Sequence, residues 1–87
     1  MEYKLIFTEK AKEDIEFFKK SGNKSVLIKV NTLIVEMIVN PFVGIGKPEA
    51  LKHELTGYWS RRINREHRLI YKVIDHTIII HSLKGHY

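Results

Sequence analysis

The sequence contains no cysteine, and it has no apolar run approaching the roughly 20 residues that span a bilayer. The lack of cysteine excludes disulfide bonds, zinc sites with thiolate ligands and thiol nucleophiles, and it fits a cytosolic protein. The first residues also lack the basic segment followed by an apolar segment that marks a secretory leader. We therefore expect a soluble, cytoplasmic protein without membrane association, whose stability comes from packing.

Neither a nucleotide-binding loop nor a metal site is indicated. Residues 41–48 contain GIGKP, which is typical of an ordered, turn-rich loop but lacks the spacing of a phosphate-binding P-loop. His53, His67 and His81 have no close His or Asp partner at a spacing that would place ligands on one face. We expect no metal and no cofactor. Because the chain has 87 residues and no internal repeat, residues 1–87 are predicted to form one domain.

Positive charge is concentrated in the second half of the chain. Residues 1–46 carry seven Lys or Arg against six Asp or Glu, whereas residues 47–87 carry eight against four. All five histidines also lie in the second half. A basic region with several imidazoles fits a polyanionic partner, such as nucleic acid or an acidic protein segment. A merely soluble basic surface would have the same composition.

The first half is predicted to form one strand and two helices. Residues 3–7 show the alternation of side-chain type that is typical of a short strand. Thr8 followed by the acidic Glu9 is typical of a helix start. The first helix should run to about Lys20, and the second should run from Lys24 until Pro41 ends it. Their apolar stripes are Ala11, Ile15, Phe17 and Phe18, and then Leu27, Val30, Leu33, Ile34, Met37 and Ile38.

The second half is predicted to form a meander of short strands. The expected order is an edge strand at 49–53, a turn at 56–57, and strands at 59–63, 67–74 and 77–83, the last two joined by a two-residue turn at 75–76. This order predicts an α+β fold, in which the N-terminal strand and two helices pack on one face of a twisted antiparallel sheet.

Alternation divides the meander into two faces. The face predicted to meet the helices carries Leu69, Tyr71, Val73, Ile78, Ile80 and Ser82. The opposite face carries Arg62, Arg68, Lys72 and His81, with Ile70, Ile79 and Leu83 between them. If the hairpin of residues 59–71 is centred on Arg65, Arg62 lies directly opposite Arg68, and like charges in that position are destabilising. We therefore expect an anionic ligand on this face, such as a phosphate chain with stacked bases.

Four segments carry a resemblance to a known family. They are GKPEALKH at 46–53, LTGYWSRRI at 55–63, EHRLIY at 66–71 and HY at 86–87. In this order they resemble the YoeB/Txe toxins of the RelE superfamily, over essentially the whole chain. The resemblance implies a RelE-like, microbial-RNase-like fold and a toxin of a bacterial type II toxin–antitoxin system. Such a toxin is a ribosome-dependent endoribonuclease that cuts messenger RNA in the decoding site and inhibits translation.

The resemblance also implies partners and residue roles. The partners are messenger RNA on the ribosome, ribosomal RNA and a YefM/Axe-type antitoxin whose acidic C-terminal segment blocks the active face. A second copy of the chain, in a homodimer, is a further candidate. The implied catalytic residues are Glu49 as base, Arg68 as support of the transition state, His86 as acid and Tyr87 as a base-positioning aromatic. The RNA- or phosphate-binding residues are predicted to be Lys52, Arg61, Arg62, Arg65 and Lys84.

These residue types match the chemistry of metal-independent RNA cleavage. Attack by the RNA 2′-hydroxyl needs a base to take its proton, an acid to protonate the departing 5′-oxygen, and fixed cations around the phosphorus. Without the resemblance, Glu49 would be read as a solvated surface charge, and Arg62 and Arg68 as binders of phosphate or an acidic partner. The alternative function is therefore a non-catalytic basic RNA- or protein-binding module. A DNA-binding repressor subunit is disfavoured, because no helix is basic enough to enter a major groove.

Overall fold

A computed structural model of the chain describes residues 2–85. Its regular elements are β1 Lys4–Phe7, α1 Glu9–Lys20, α2 Lys24–Met37, β2 Glu49–Ala50, β3 Trp59–Arg62, β4 Arg68–Ile74 and β5 Thr77–Ser82. A short 3₁₀ helix, His53–Leu55, lies between β2 and β3. Within residues 2–85, no helix has both the length and the apolar character that crossing a membrane requires.

Both helices begin where the sequence predicts. The Thr8 hydroxyl accepts a hydrogen bond from the backbone N–H of Ala11 at 3.1 Å, which caps α1. The same hydroxyl donates to the carbonyl oxygen of His81 at 2.8 Å. The Asn23 side chain caps α2 by accepting from the N–H of Val26 at 3.3 Å. The start of α1 is therefore fixed next to β5.

The five strands form one sheet in the order β1-β5-β4-β3-β2. β2, β3, β4 and β5 pair antiparallel, whereas β1 pairs parallel to β5. The predicted α+β class is confirmed, but the sheet is mixed instead of wholly antiparallel. Strands joined by tight hairpins must be antiparallel, whereas β1 reaches β5 through the rest of the chain, so no hairpin sets its direction.

The core lies between the helices and one face of the sheet. It contains Ala11, Phe18, Val26, Val30, Leu33 and Met37 from the helices, and Leu69, Tyr71, Ile78, Ile80 and Leu83 from the sheet and its C-terminal end. Phe17 was predicted to widen the apolar stripe of α1, but it is 46% exposed. The other helix residues of the predicted stripes are buried or packed against the core.

The predicted register of the β3–β4 hairpin is confirmed. Arg62 is the direct cross-strand partner of Arg68. In the turn between them, the side-chain oxygen of Asn64 accepts hydrogen bonds from the backbone N–H of Glu66 at 2.9 Å and of His67 at 2.8 Å. An Asn side chain bound in this way mimics a backbone turn and fixes the connection. The two arginines are consequently held opposite each other.

A β-bulge in β5 changes the predicted faces at the end of that strand. Two neighbouring residues of β4 pair with Ile80 and Ser82, so His81 is an extra residue between the two pairs. One extra residue reverses the alternation of faces. Leu83, predicted on the basic face, is therefore fully buried in the core, and Ser82, predicted to meet the helices, lies on the opposite face.

The edge strand β2 is shorter than predicted. A strand was expected over residues 49–53, but β2 is only Glu49–Ala50. His53 has a φ of 59°, a left-handed conformation that extended chain does not contain, and the 3₁₀ helix starts there. Glu49 thus stands at the edge of the sheet, at the start of a two-residue strand.

Candidate active site

A cleft of about 270 Å³ crosses three neighbouring strands. It is lined by Gly46, Lys47, Pro48, Glu49, Ser60, Arg62 and Arg68. Strand pairing explains why these residues meet. Glu49 on β2 lies opposite Ser60 on β3, and Arg62, further along β3, lies opposite Arg68 on β4. Three residues predicted to be functional, Glu49, Arg62 and Arg68, are therefore brought to one place.

Two arginines give this cleft its positive side. Arg62 is exposed, and Arg68 is half-buried with its Nη1 donating to the carbonyl oxygen of Asn64 at 3.3 Å. A guanidinium presents forked N–H donors that match two phosphate oxygens at once. Among residues 2–85, no three His, Asp or Glu side chains are grouped as metal ligands. The chemistry that this side of the cleft can supply is binding and charge stabilisation of a phosphate.

The loop before β2 brings Glu49 against the strand that carries the arginines. The backbone N–H of Arg62 donates to the carbonyl oxygen of Gly46 at 2.6 Å. Gly46 has a φ of 80°, and a Cβ there would lie only 2.9 Å from Leu33 Cδ2 and 3.1 Å from the Arg62 carbonyl oxygen. Lys47 follows with a φ of 51°. A side chain at position 46 would therefore push the loop, and Glu49 with it, away from β3.

Arg61 is buried on the opposite side of β3 and is 0% exposed. Its guanidinium donates five hydrogen bonds, to Glu36 Oε1 at 2.7 Å and the carbonyl oxygens of Ile45 at 3.0 Å, Asn40 at 3.0 Å and Val43 at 2.9 Å, and to the Tyr71 hydroxyl at 3.4 Å. Arg61 therefore does not lie on the predicted RNA-binding surface, which corrects the sequence-based assignment. Its charge instead holds the loop of residues 40–45 that leads to the cleft.

The neighbours of Arg61 reinforce this loop. The hydrogen bond from Arg61 lowers the pKa of the Glu36 carboxyl below its ordinary value of 4.5, and the backbone N–H of Ile45, which donates to Glu36 at 2.7 Å, lowers it further. Burial raises the pKa of the Tyr71 hydroxyl, which donates to the carbonyl oxygen of Pro41 at 2.6 Å. Both ends of the loop are thus tied to charged or buried polar groups.

The other predicted RNA-binding residues surround the cleft without lining it. Lys52 lines an adjoining cavity of about 380 Å³, which also contacts Glu49. Arg65 is exposed at the tip of the β3–β4 hairpin. The Nζ of Lys84 lies 3.8 Å from the ring centroid of Phe17, on the side of α1. Of the predicted binding residues, Arg62 lines the cleft itself.

His86 and Tyr87, predicted as acid and base-positioning aromatic, lie outside the described residues. The chain that precedes them passes beside β4, because the backbone N–H of Arg68 donates to the carbonyl oxygen of Gly85 at 3.1 Å. Glu49 lies on the other side, beyond β3. The segment that leads to His86 and the strand that carries Glu49 therefore flank the arginines from opposite directions.

Two residues of the cleft, Ser60 and Lys47, were missed by sequence reasoning. Ser60 is two residues before Arg62 on one strand and so shares its face, a signal that the alternation already contained. Lys47 gave no such signal, because the direction of its side chain depends on the left-handed turn at its own position. Strand alternation can predict a cleft residue such as Ser60, but it cannot predict one such as Lys47.

An aromatic residue links two of the predicted basic-face residues beyond the cleft. The Nζ of Lys72 lies 4.8 Å from the ring centroid of Tyr58, and the ring of His81 lies 5.3 Å from the same ring. Tyr58 lies just before β3, two residues before Ser60 and four before Arg62, so its side chain points to the same face of the sheet. Tyr58, Lys72 and His81 therefore extend the face that carries the cleft. We call Tyr58, Lys72 and His81 the aromatic cluster.

Comparison with known proteins gives consistent similarities. A family model described as "YoeB-like toxin of bacterial type II toxin-antitoxin system" matches residues 7–87. Toxin YoeB of Synechocystis sp. is 48% identical over 84 residues, covering 97% of this chain and 96% of that protein. A YoeB dimer from Staphylococcus aureus has a TM-score of 0.88 and 45% identity, covering 100% of both chains. A heterotetrameric YoeB–YefM toxin–antitoxin complex from the same organism has a TM-score of 0.86 and 45% identity, again covering 100% of both chains.

The resemblance noted from the sequence is thus confirmed by a family match over nearly the whole chain and by the solved structures. The two Staphylococcus aureus structures superpose on this chain over its whole length, so they share its overall fold. The chain belongs to the family of YoeB-like toxins of bacterial type II toxin–antitoxin systems.

Proposed function

We propose that this toxin is a metal-independent endoribonuclease that cuts messenger RNA in the decoding site of the ribosome, and so inhibits translation in the cytoplasm. The observation that carries the proposal is the cleft in which Glu49, Arg62 and Arg68 meet. Toxins of the YoeB and RelE type are known as ribonucleases, which supports the reaction class.

The arginine pair would hold the scissile phosphate. A bound phosphate places negative charge between Arg62 and Arg68 and relieves the repulsion between these cross-strand partners. When the 2′-oxygen attacks, the pentacovalent phosphorus gathers more negative charge than the ground state carries. Fixed N–H donors aimed at those oxygens therefore stabilise the transition state more than the substrate, which accelerates the reaction.

Proton transfer would involve Glu49, on one side of the arginines, and His86, which follows Gly85 in the sequence. Glu49 takes the proton of the 2′-hydroxyl as its oxygen forms the new bond to phosphorus, and His86 gives a proton to the 5′-oxygen as its bond to phosphorus breaks. In-line displacement requires these two groups on opposite sides of the phosphorus. The placement of β2 and of Gly85 on opposite sides of the arginine pair supports this assignment. The products are a 2′,3′-cyclic phosphate and a free 5′-hydroxyl, and Tyr87 acts as the base-positioning aromatic.

The messenger would run along the face that carries the cleft. The aromatic cluster offers the Tyr58 ring for base stacking, and the Lys72 ammonium and the His81 imidazole for phosphate contact. Tyr58 and Lys72 are each four residues from the cleft arginine on the same chain segment. Lys52 would contact a neighbouring nucleotide through the adjoining cavity. Arg65 and Lys84, at the margins, would contact ribosomal RNA.

The inhibitory partner would be a YefM/Axe-type antitoxin. The Staphylococcus aureus relative is solved with YefM, which supports a partner of that type for this chain. An acidic C-terminal segment of the antitoxin would occupy the cleft and compete with RNA for Arg62 and Arg68. The same relative is also solved as a dimer, which supports a homodimer of the free toxin.

Cleavage of a defined messenger on programmed ribosomes in a reconstituted translation system tests the proposal. We expect cleavage to persist in chelator, to leave a 2′,3′-cyclic phosphate or its 3′-phosphate hydrolysis product, and to stop when the nucleotide 5′ of the cut is 2′-deoxy. Glu49→Gln and Arg68→Met should each lower the rate by about 10²- to 10⁴-fold. Lys24→Gln, at the exposed start of α2, is the matched control and should cleave like the wild type.

Cleavage of the 2′-deoxy messenger at the normal rate would exclude the 2′-hydroxyl mechanism. RNA binding without any cleavage, in the wild type and the variants alike, would identify the protein as a binding module instead of an enzyme. Loss of cleavage in chelator, restored by added metal, would contradict metal independence.

A further inference from the structure

Three consecutive backbone N–H groups at the C-terminal end of the described chain are bound by two side chains from distant elements. Asp14 Oδ2 accepts hydrogen bonds from the N–H of Leu83 at 2.8 Å and of Lys84 at 3.2 Å. His67 Nδ1 accepts one from the N–H of Gly85 at 2.8 Å. Strand β5 has already ended before this segment, so the sheet ladder does not explain its order. We call Asp14 and His67 the C-terminal anchor.

Asp14 is an unusual residue for a scaffold helix. It lies on α1 and is only 2% exposed, between the core residues Ala11 and Phe18 of the same helix. Burying a carboxylate is unfavourable unless hydrogen bonds compensate its lost hydration. Its Oδ1 is paired with Lys10 of the same helix, whereas its Oδ2 faces the two N–H groups of the C-terminal segment. The buried half of this carboxylate thus serves the C-terminal segment.

His67 and Arg68 hold the next residue from the other side. His67 is 6% exposed, and its ring lies edge-on to Phe18, with centroids 5.0 Å apart. Because Nδ1 accepts a hydrogen bond, the ring proton is assigned to Nε2. The N–H of Arg68 donates to the carbonyl oxygen of Gly85 at 3.1 Å. Both backbone groups of Gly85 are therefore bound by neighbouring residues of the hairpin that carries a cleft arginine.

The conformation of Gly85 then directs the chain. Its φ is 82°, a left-handed value that side-chain-bearing residues rarely adopt. No atom lies within 4 Å of the position that a Cβ would take, so the requirement for glycine comes from the backbone alone. Position, hydrogen bonding and backbone direction are thus all specified at the residue before His86.

We propose that Asp14 and His67 are positioning residues, which fix residues 83–85 and so set the point from which the chain continues to His86. The functional consequence rests on the proposed role of His86 as the acid. Misplacement of a reacting group by about 1 Å lowers a rate by about 10²-fold. The anchor therefore acts on the chemical step, whereas substrate binding depends on the side chains of the arginines and of the aromatic cluster.

The first test uses Asp14→Ala with two matched variants. Asp14→Ala removes the acceptor of two N–H groups, and the single-turnover cleavage rate on programmed ribosomes should fall about 10- to 100-fold. Binding to ribosomes programmed with a 2′-deoxy messenger should stay within about twofold of the wild type, since the arginines are untouched. Asp14→Asn keeps an acceptor oxygen and should restore most of the rate. Lys10→Met removes only the ion pair of Oδ1 and should match the wild type.

The second test examines His67 in the same assays. His67→Phe keeps an aromatic ring against Phe18 but removes the acceptor for the Gly85 N–H, and it should lower the rate as Asp14→Ala does. His67→Asn places an amide oxygen near the position of Nδ1, and it should retain more activity than His67→Phe. If His67 had only a structural role, the cleavage rates of the two variants would follow their melting temperatures and not the presence of an acceptor.

Hydrogen exchange at residues 83–85, measured by NMR on the full-length protein, separates the anchor from the proposed enzyme function. Protection of these amides should be lost in Asp14→Ala and His67→Phe and kept in the two Asn variants, with core amides unchanged. Unchanged protection, or unchanged cleavage in folded Asp14→Ala and His67→Phe, would overturn the proposal. Absence of cleavage by the wild type would refute the enzyme function, while the exchange data would still decide the anchor.

Discussion

Arg61 and Arg62 are consecutive in the sequence but have opposite environments. Arg61 is 0% exposed and binds the loop of residues 40–45, whereas Arg62 is exposed and lines the cleft. Successive residues of a strand point to opposite faces, so two adjacent arginines on β3 cannot share one role. Arg62 contacts the solvent side, where a phosphate can reach it. Arg61 supports the loop that carries the chain to Glu49.

Replacement of Arg61 should weaken the whole fold. We expect Arg61→Met to lower the free energy of unfolding by about 3 kcal/mol, because it leaves the Glu36 carboxylate and three loop carbonyls without their donor. Arg61→Lys should recover only part of this, since an ammonium cannot reproduce the planar fork. Urea denaturation measures the change, with Arg65→Met, at the exposed hairpin tip, as the control. Equal midpoints for Arg61→Met and the wild type would contradict this role.

The Glu36 carboxyl gives the same interaction a pH dependence. Its pKa is lowered below 4.5 by Arg61 and by the Ile45 N–H. A lowered folded-state pKa adds stability above the unfolded-state pKa, and that stability is lost as the pH falls through the folded-state value. The difference in unfolding free energy between wild type and Glu36→Gln should therefore be constant above about pH 5.5 and shrink at lower pH. Urea denaturation across this range measures it, with the exposed Glu13→Gln as the control, and a difference independent of pH would refute it.

The environments of single residues were only partly predictable. A hairpin centred on Arg65 places Arg62 opposite Arg68, and the observed register confirms this prediction. The burial of Arg61 could not be predicted, because its acceptors are carbonyls of a loop whose path depends on the tertiary fold. The buried Asp14 is a similar case, since its acceptor role depends on a segment 69 residues away.

At the scale of elements, the two helices, the meander order of β2 to β5 and the β3–β4 register followed from the sequence. Thr8, Asn23 and the apolar stripes contain local signals for helices, and the β3–β4 hairpin joins residues close in sequence. The bulge at His81 had no such signal, because the sequence does not show whether a polar strand residue has a cross-strand partner or is the extra residue of a bulge. The parallel pairing of β1 with β5 was equally hidden, since it joins the two ends of the chain.

The bulge leads to a stability prediction for Leu83. Leu83 is 0% exposed, so Leu83→Ala should lower the free energy of unfolding by about 2–5 kcal/mol through lost burial and a residual cavity. Ile74→Ala removes an apolar side chain that is 47% exposed at the end of β4, and it should change stability by less than about 1 kcal/mol. Urea denaturation of both variants compares them. If both variants lost equally little unfolding free energy, Leu83 would lie on the outer face of the sheet.

At the scale of the whole molecule, the net charge of +5 resides mostly in the half that forms the cleft. Phosphates displace condensed counterions when they bind such a surface, so binding to ribosomes should weaken steeply between about 50 and 200 mM salt. Arg62→Gln with Arg68→Gln should reduce the slope of log affinity against log salt by about 2, one unit for each lost contact. Lys24→Gln is the control and should keep the slope. A flat salt dependence in the wild type would exclude the basic face as the binding surface.

The direct pairing of Arg62 with Arg68 also couples folding to partner availability. A ligand that binds only the folded state stabilises it in proportion to the logarithm of its concentration over its dissociation constant. Under the proposed function, an acidic antitoxin segment or an RNA phosphate would neutralise this pair, so either should raise the melting temperature of the toxin. Under the proposed function, toxin that holds neither partner would then be its least stable folded form. This partner-free form would be the one most exposed to proteases, which would limit how long idle toxin persists in a cell.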